Sequence, residues 1–171
     1  MTRSERKISG PAAALLAALM LLAVPAAADK PGDDAALAGI EEGRIIWDVT
    51  QGDPALLAGR LAVIEETWDD MVRQDVEPRM VFAFRGGAAR VIARDIDAHF
   101  DLADHDAVAE VHERLNDFLE RPGVVMEACD IATRRFDLGA DDLLPGIDLV
   151  GNTFLSLMGY SRQGYVAIPI N

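Results

Sequence analysis

"GVVMEACDIATRRF", residues 123–136, sets an apolar, β-branched run directly against a polar stretch of helical character, with Cys129, the chain's only cysteine, at the junction. A short apolar run that passes straight into a helix is half of a βα unit, and the same pattern recurs on both sides of it. Upstream, "RIIWDVT" (44–50) reads as a buried strand bounded by Gly43 and by Gln51-Gly52. In "DPALLAGRLAVIEETWDDMV" (53–72), Leu57, Leu61, Ile64, Trp68 and Met71 recur at spacings of four and three, which puts them on one face of a helix. Asp53 is placed to accept hydrogen bonds from the free N–H groups at the helix start, and Pro54 pre-sets φ at the first helical position. "RMVFAFRGG" (79–87) repeats the strand pattern and ends in two glycines. "DAVAEVHERLNDFLE" (106–120) gives a second amphipathic helix, with Val108, Val111, Leu115 and Phe118 on one face. Downstream come a short strand "GIDLV" (146–150), a helix "NTFLSLMGYSR" (152–162) capped by Asn152, and a last strand "GYVAIPI" (164–170). Strands apolar on both faces and separated by helices predict a three-layer α/β/α domain with a mostly parallel sheet of about five strands.

The N-terminus has a different character. "MTRSERK" carries three basic residues, "PAAALLAALMLLAVP" is apolar, and Ala26-Ala27-Ala28 supplies small residues for cleavage, so residues 1–28 read as a secretory signal peptide. The apolar stretch is shorter than the roughly 20 residues that a membrane span needs. Arg3 and Arg6 are not adjacent, which favours general secretion over twin-arginine export. The expected location is the periplasm, with no membrane attachment after cleavage. Residues 29–42, "DKPGDDAALAGIEE", read as a poorly ordered leader or a loosely docked first helix, and residues 43–171 as a single α/β domain.

Cleavage after Ala28 leaves 13 basic and 28 acidic residues, a formal charge of −15. Such a surface repels nucleic acid and anionic membranes, and neither is expected as a partner. A single cysteine in an oxidising compartment cannot close an internal disulfide, so stability has to come from the core.

At the carboxyl end of a strand in an open parallel sheet, where ligands bind near the reversal of strand order, Cys129 occupies a position suited to chemistry. A helix beginning at Asp130 or Ile131 would point N–H groups toward the sulfur and favour thiolate. Arg134 and Arg135 would help if they folded back, whereas Asp130 and Glu127 place negative charge nearby. Free cysteine also packs well as a small buried hydrophobe, so these residues by themselves leave both readings open.

A resemblance adds to this reading. "VVMEAC", then "GADDLLPGIDLV", and after a helix "QGYVAIPI" resemble the C-terminal half of the DsrE/DsrF-like sulfur-relay family, in its exported single-domain branch. "GDPALLAGRLAVIEE" is similar to the family's first helix, and "FAFRGGAARV" to the turn after its second strand. The resemblance runs from about Arg44 to the C-terminus. It implies a flavodoxin-like homo-oligomer that carries sulfur as a persulfide on Cys129 and exchanges it with donor and acceptor proteins. Ser161 stands where the family has glutamine, and the region from Ala93 to His105 is longer and more polar than the family pattern, an insertion that could reshape the pocket mouth. The alternative function is a non-catalytic oligomeric binding or scaffold domain with Cys129 as filler.

Other constellations are weaker. Arg85, Gly86 and Gly87 could form a backbone nest for an anionic substrate, or the glycines could simply allow a tight turn. His105 and His112 lie two helical turns apart, about 10 Å, too far for one metal ion, and no metal or other cofactor is expected. Glu65, Glu66, Asp69 and Asp70 read as a solvated face. Phe154, Leu157, Met158, Tyr160 and Tyr165 exceed what a short helix and a strand need for their own packing, and are expected to contribute to contacts between copies.

Overall fold

The computed structural model describes residues 30–171. The expected signal peptide, residues 1–28, lies outside them. Within the expected leader, α1 (Asp34–Leu37) is a single helical turn, and the Asp33 carboxylate just before it accepts from Gln74 Nε2 at 3.1 Å. In chain order there follow β1 (Glu42–Val49), α2 (Pro54–Arg73), β2 (Glu77–Phe84), α3 (Ala88–Val91), α4 (His105–Leu119), β3 (Val124–Cys129), α5 (Asp130–Thr133), β4 (Ile147–Val150), α6 (Thr153–Arg162) and β5 (Val166–Ile170). Short 3₁₀ turns precede α4, follow α5 and cover Ala140–Asp142. The start of α2 forms as its sequence dictates: Asp53 Oδ1 accepts from Leu56 N at 2.9 Å and Pro54 occupies the first turn.

All five strands are parallel and lie in the order β4-β3-β2-β1-β5. The chain steps from β1 to β4 in one direction, then returns across the sheet to place β5 beside β1. Right-handed crossovers put the helices of the first three steps on one face and the helix of the return step on the other. The packing follows that rule. On the first face, Leu57, Leu61 and Ile64 of α2 and Val111, Leu115 and Phe118 of α4 close over Met80, Phe82 and Phe84 of β2. Phe82 and Phe118 meet with ring centroids 5.0 Å apart. Each fully buried side chain of this size contributes about 1.5–3 kcal/mol, which makes this layer the main source of stability.

The second face is thinner. Ile46, Val81 and Ala83 are covered by Leu157, Tyr160 and Tyr165. A ten-residue helix spans about 15 Å, less than the roughly 19 Å across five strands. Val125 and Val166 therefore stay exposed, as do Phe154 (58%), Leu155 (61%) and Met158 (61%) on the outer side of α6. The sequence grouped Leu157, Tyr160 and Tyr165 with the contact residues; their first role is to cover the chain's own sheet, and Phe154 and Met158 are the members left open to solvent.

The acidic face of α2 is solvated as expected at Glu66 and Asp69 and departs from that expectation at Glu65 and Asp70, which are partly buried. Glu65 pairs with Arg114 of α4 and lies 3.9 Å from Arg121, Asp69 sits 3.6 Å from Arg121, and Asp70 pairs with Arg73 at 3.2 Å. Arginines brought by α4 and the turn after it neutralise much of what sequence spacing left as like charge. His112 Nε2 bonds the Val91 carbonyl at 2.8 Å and His105 Nε2 the Phe100 carbonyl at 3.1 Å, so both rings tie α4 to the preceding segment.

Candidate functional site at the carboxyl end of the sheet

Register decides what surrounds Cys129. β3 pairs β2 with Phe84 opposite Ala128, so Arg85 and Gly86, the next residues of that chain segment, emerge beside the cysteine. β3 pairs β4 with Val150 opposite Cys129, so α6 has to begin at the same level on the other side. Asn152 caps α6 by accepting from Phe154 N at 2.9 Å, and Thr153 becomes its first residue. Cys129 itself is the last residue of β3, with extended φ and ψ of −77° and 115°, and α5 starts immediately after it.

These segments enclose a pocket of about 250 Å³, lined by Arg85, Gly86, Cys129, Arg135, Asn152 and Phe154 together with the first turn of α5. Cys129 is 4% exposed and packs against Ala89 and Ala132. Burial is the largest influence on its ionisation and pushes the thiol up; the N–H and hydroxyl of Thr153 and the N–H groups of Ala132 and Ile131 together outweigh it, so the thiol sits below its ordinary value. The Thr153 hydroxyl is fully buried, has no hydrogen-bond partner among the described residues, and favours the ionised form of the sulfur.

Arg85 is held by Asp48 of β1 through two bonds of 2.7 Å, Nε to Oδ1 and Nη2 to Oδ2. That pair raises the guanidinium further above its usual value, with a contribution from Cys129. The guanidinium also lies 4.8 Å from the centroid of the Phe154 ring, which forms the apolar wall. Of the two arginines after Cys129, Arg134 is engaged by Asp130 at 3.0 Å and adds no free charge, whereas Arg135 reaches the pocket. Glu127 faces away into the α6 layer, where its Oε1 accepts from the Tyr160 hydroxyl at 3.0 Å. Burial, followed by Glu127, pushes that phenol up to about 12.

The two glycines of "RGG" separate. Gly86 lines the pocket and takes φ +57°, which favours glycine. Gly87 packs against Gly52, where a Cβ would come within 2.9 Å of backbone, so its smallness serves the approach of two loops. Two further expectations change. The reversal of strand order lies between β1 and β5, whereas Cys129 ends β3, two strands from β1. The 93–105 segment does not line the Cys129 pocket; with Asp137, Asp141 and Asp142 its residues Arg94, Asp95, Ala98 and His99 line a separate depression of about 620 Å³. Among the described residues, no group of three or more His, Cys, Asp or Glu is placed to hold a metal ion, and no helix is long and apolar enough to cross a membrane.

Asp48 and Thr153 were missed by sequence reasoning. An acidic residue inside an apolar strand was the available signal for Asp48; Thr153 gave none beyond its place after a cap.

No family model matches the chain. A curated protein of Aquifex aeolicus (strain VF5), described as uncharacterized, is 21% identical over 126 residues, which cover 74% of this chain and 55% of that one. The chain thus spans about half the length of this relative. A solved structure of a protein of unknown function from Methanobacterium thermoautotrophicum is similar with a TM-score of 0.54 and 18% identity, over 74% of this chain and 98% of that one. At this level of identity the likeness establishes the α/β fold alone.

Proposed function

We propose that this protein is an exported sulfur carrier of the DsrE/DsrF-like kind, working in the periplasm as a homo-oligomer and holding sulfane sulfur as a persulfide on Cys129. The observation that carries the reading is a thiol at the carboxyl end of an inner strand, opening on a pocket and surrounded by donors that favour its thiolate. In the loading step, the Cys129 thiolate attacks the terminal sulfur of a polysulfide; one S–S bond forms, another breaks, and the shortened polysulfide leaves with the electron pair. In the unloading step an acceptor thiolate attacks the outer sulfur, and Cys129 departs as thiolate. A sulfur kept in a narrow pocket is shielded from bulk oxidants yet open to a small donor or a flexible acceptor cysteine.

Intact-mass spectrometry after incubation with polysulfide tests this. The native protein gains about 32 Da per sulfur atom, lost again on reduction, and Cys129→Ser gains nothing because a hydroxyl at this site does not ionise. A native protein that stays at its original mass, with a thiol that alkylates only in denaturant, overturns the carrier role. It would leave the second reading, an oligomeric scaffold with a structural cysteine, which the 4% exposure of Cys129 between Ala89 and Ala132 favours.

A further inference from the structure

The chain is strongly acidic, with 29 Asp and Glu against 16 Lys and Arg, yet among the described residues no carboxylate lines the Cys129 pocket and two guanidiniums do. Their situations differ. Arg85 spends Nε and Nη2 on Asp48, is half-buried and fixed, and no described residue accepts from its Nη1. Arg135 is exposed at the pocket and forms no ion pair with any described residue. The nearest carboxylate in sequence, Asp137, lines the separate depression with Asp141 and Asp142, and Asp130 is already engaged by Arg134. On the opposite wall stands Asn152 at the start of α6, whose Oδ1 accepts from Phe154 N. With one fixed guanidinium, one that pairs with no described residue, and no acid among the described residues of its lining, the site is built for an anion, and the apolar Phe154 and Ile131 keep that anion small by walling the remaining space.

We infer that the pocket recognises a small oxyanion-bearing sulfur donor of the thiosulfate class, with Arg135 as the residue that binds its sulfonate end while its outer sulfur faces Cys129. The choice of a sulfur donor rests on the carrier reading; the anion selectivity rests on the pocket alone. In the transfer, the Cys129 thiolate donates its electron pair to the outer sulfur of thiosulfate, an S–S bond forms, and the bond between the two donor sulfurs breaks. Sulfite leaves with that pair, and the product is the Cys129 persulfide anion. The charges balance without a proton or an outside oxidant. Arg85, tied to Asp48, supplies fixed positive potential, and Arg135 supplies discrimination.

The experiment separates the two layers. The rate of Cys129 alkylation by iodoacetate, an anion, is divided by the rate with iodoacetamide, its neutral counterpart, in the folded native protein, Arg135→Gln, Arg135→Lys and Arg162→Gln. Arg162 is the charge control: it lies nine residues along α6 from Thr153, about 13 Å away and beyond a screening length at physiological salt. The native ratio exceeds that of N-acetylcysteine. Arg135→Gln lowers the native ratio by roughly tenfold, the worth of one charge-assisted hydrogen bond. Arg135→Lys recovers part of the loss, and Arg162→Gln keeps the native ratio. In parallel, sulfur loading from thiosulfate relative to loading from a neutral organic trisulfide falls in Arg135→Gln. An unchanged alkylation ratio in Arg135→Gln, or an equal drop in Arg162→Gln, overturns the anion site even if Cys129 loads with sulfur. A lowered ratio in a protein that no donor can load upholds the anion site and overturns the carrier.

Discussion

Asp48 and Arg85 close a two-point ion pair, with both N···O distances at 2.7 Å, between the next-to-last residue of β1 and the residue that follows β2. Parallel register makes it possible: Asp48 lies opposite Ala83, and Arg85 is the next residue on that side of the sheet. The pair is half-buried, so each partner depends on the other to offset lost hydration. Asp48→Asn should lower stability by about 1–2 kcal/mol, read as a shift in the urea midpoint with unchanged slope. A loss below about 0.5 kcal/mol would place the pair with ordinary surface contacts.

The thiol of Cys129 is held below its ordinary value against the opposing effect of its burial. Its alkylation rate by iodoacetamide should therefore rise with pH through a midpoint lower than the roughly 8.5 of a free cysteine. Thr153→Val keeps the backbone N–H and the side-chain shape but removes the hydroxyl, and should move that midpoint upward. Coincident profiles for the two proteins would show that Thr153 does not stabilise the thiolate.

Acidification should weaken the fold partly through His112. Burial is the main cause holding this imidazole below its ordinary value, and its bond to the Val91 carbonyl opposes that only in part. The unfolded chain therefore binds the proton more readily, so the stabilising contribution is complete above about pH 6.5 and is lost as pH falls from there toward the depressed folded value. His112→Gln should flatten the dependence of unfolding free energy on pH between about 7.5 and 5.5. If the variant falls as steeply as the native protein, the carboxylates alone explain the acid sensitivity.

The outer side of α6 should join copies of the chain. Phe154, Leu155 and Met158 present adjoining apolar surface over a sheet face that one helix covers incompletely. Light scattering at micromolar concentration should report a closed homo-oligomer, and Met158→Asp should shift it toward the monomer without loss of helix or strand signal. A native monomer would count against this, as would an oligomer indifferent to the substitution.

Much of the fold was legible because strands and helices announce themselves through periodicity. The core face of α4, Val108, Val111, Leu115 and Phe118, is buried as its spacing requires. The Asp53-Pro54 start and the Asn152 cap form where local hydrogen-bond chemistry puts them. Legibility fails where a residue's partner is distant in sequence. Glu65 looked solvated because Arg114 and Arg121 reach it only when α4 packs on α2. Tyr160 looked like a contact residue because Glu127, 33 positions earlier, gives no local sign of bonding it.

The sequence by itself determined the βα alternation, the parallel sheet it implies, and the place of Cys129 at a strand's carboxyl end, because each follows from local propensity and apolar spacing. Only the tertiary structure decided what that cysteine meets. The register of β2, β3 and β4 brings Arg85, Gly86 and Thr153 to the level of the sulfur, and with Arg85 tied to Asp48 and Arg134 to Asp130, Arg135 is the pocket cation that pairs with no described residue. Ionisation answers to fields and hydrogen bonds within a few ångströms, whatever their separation along the chain, and strand order and pairing set those distances.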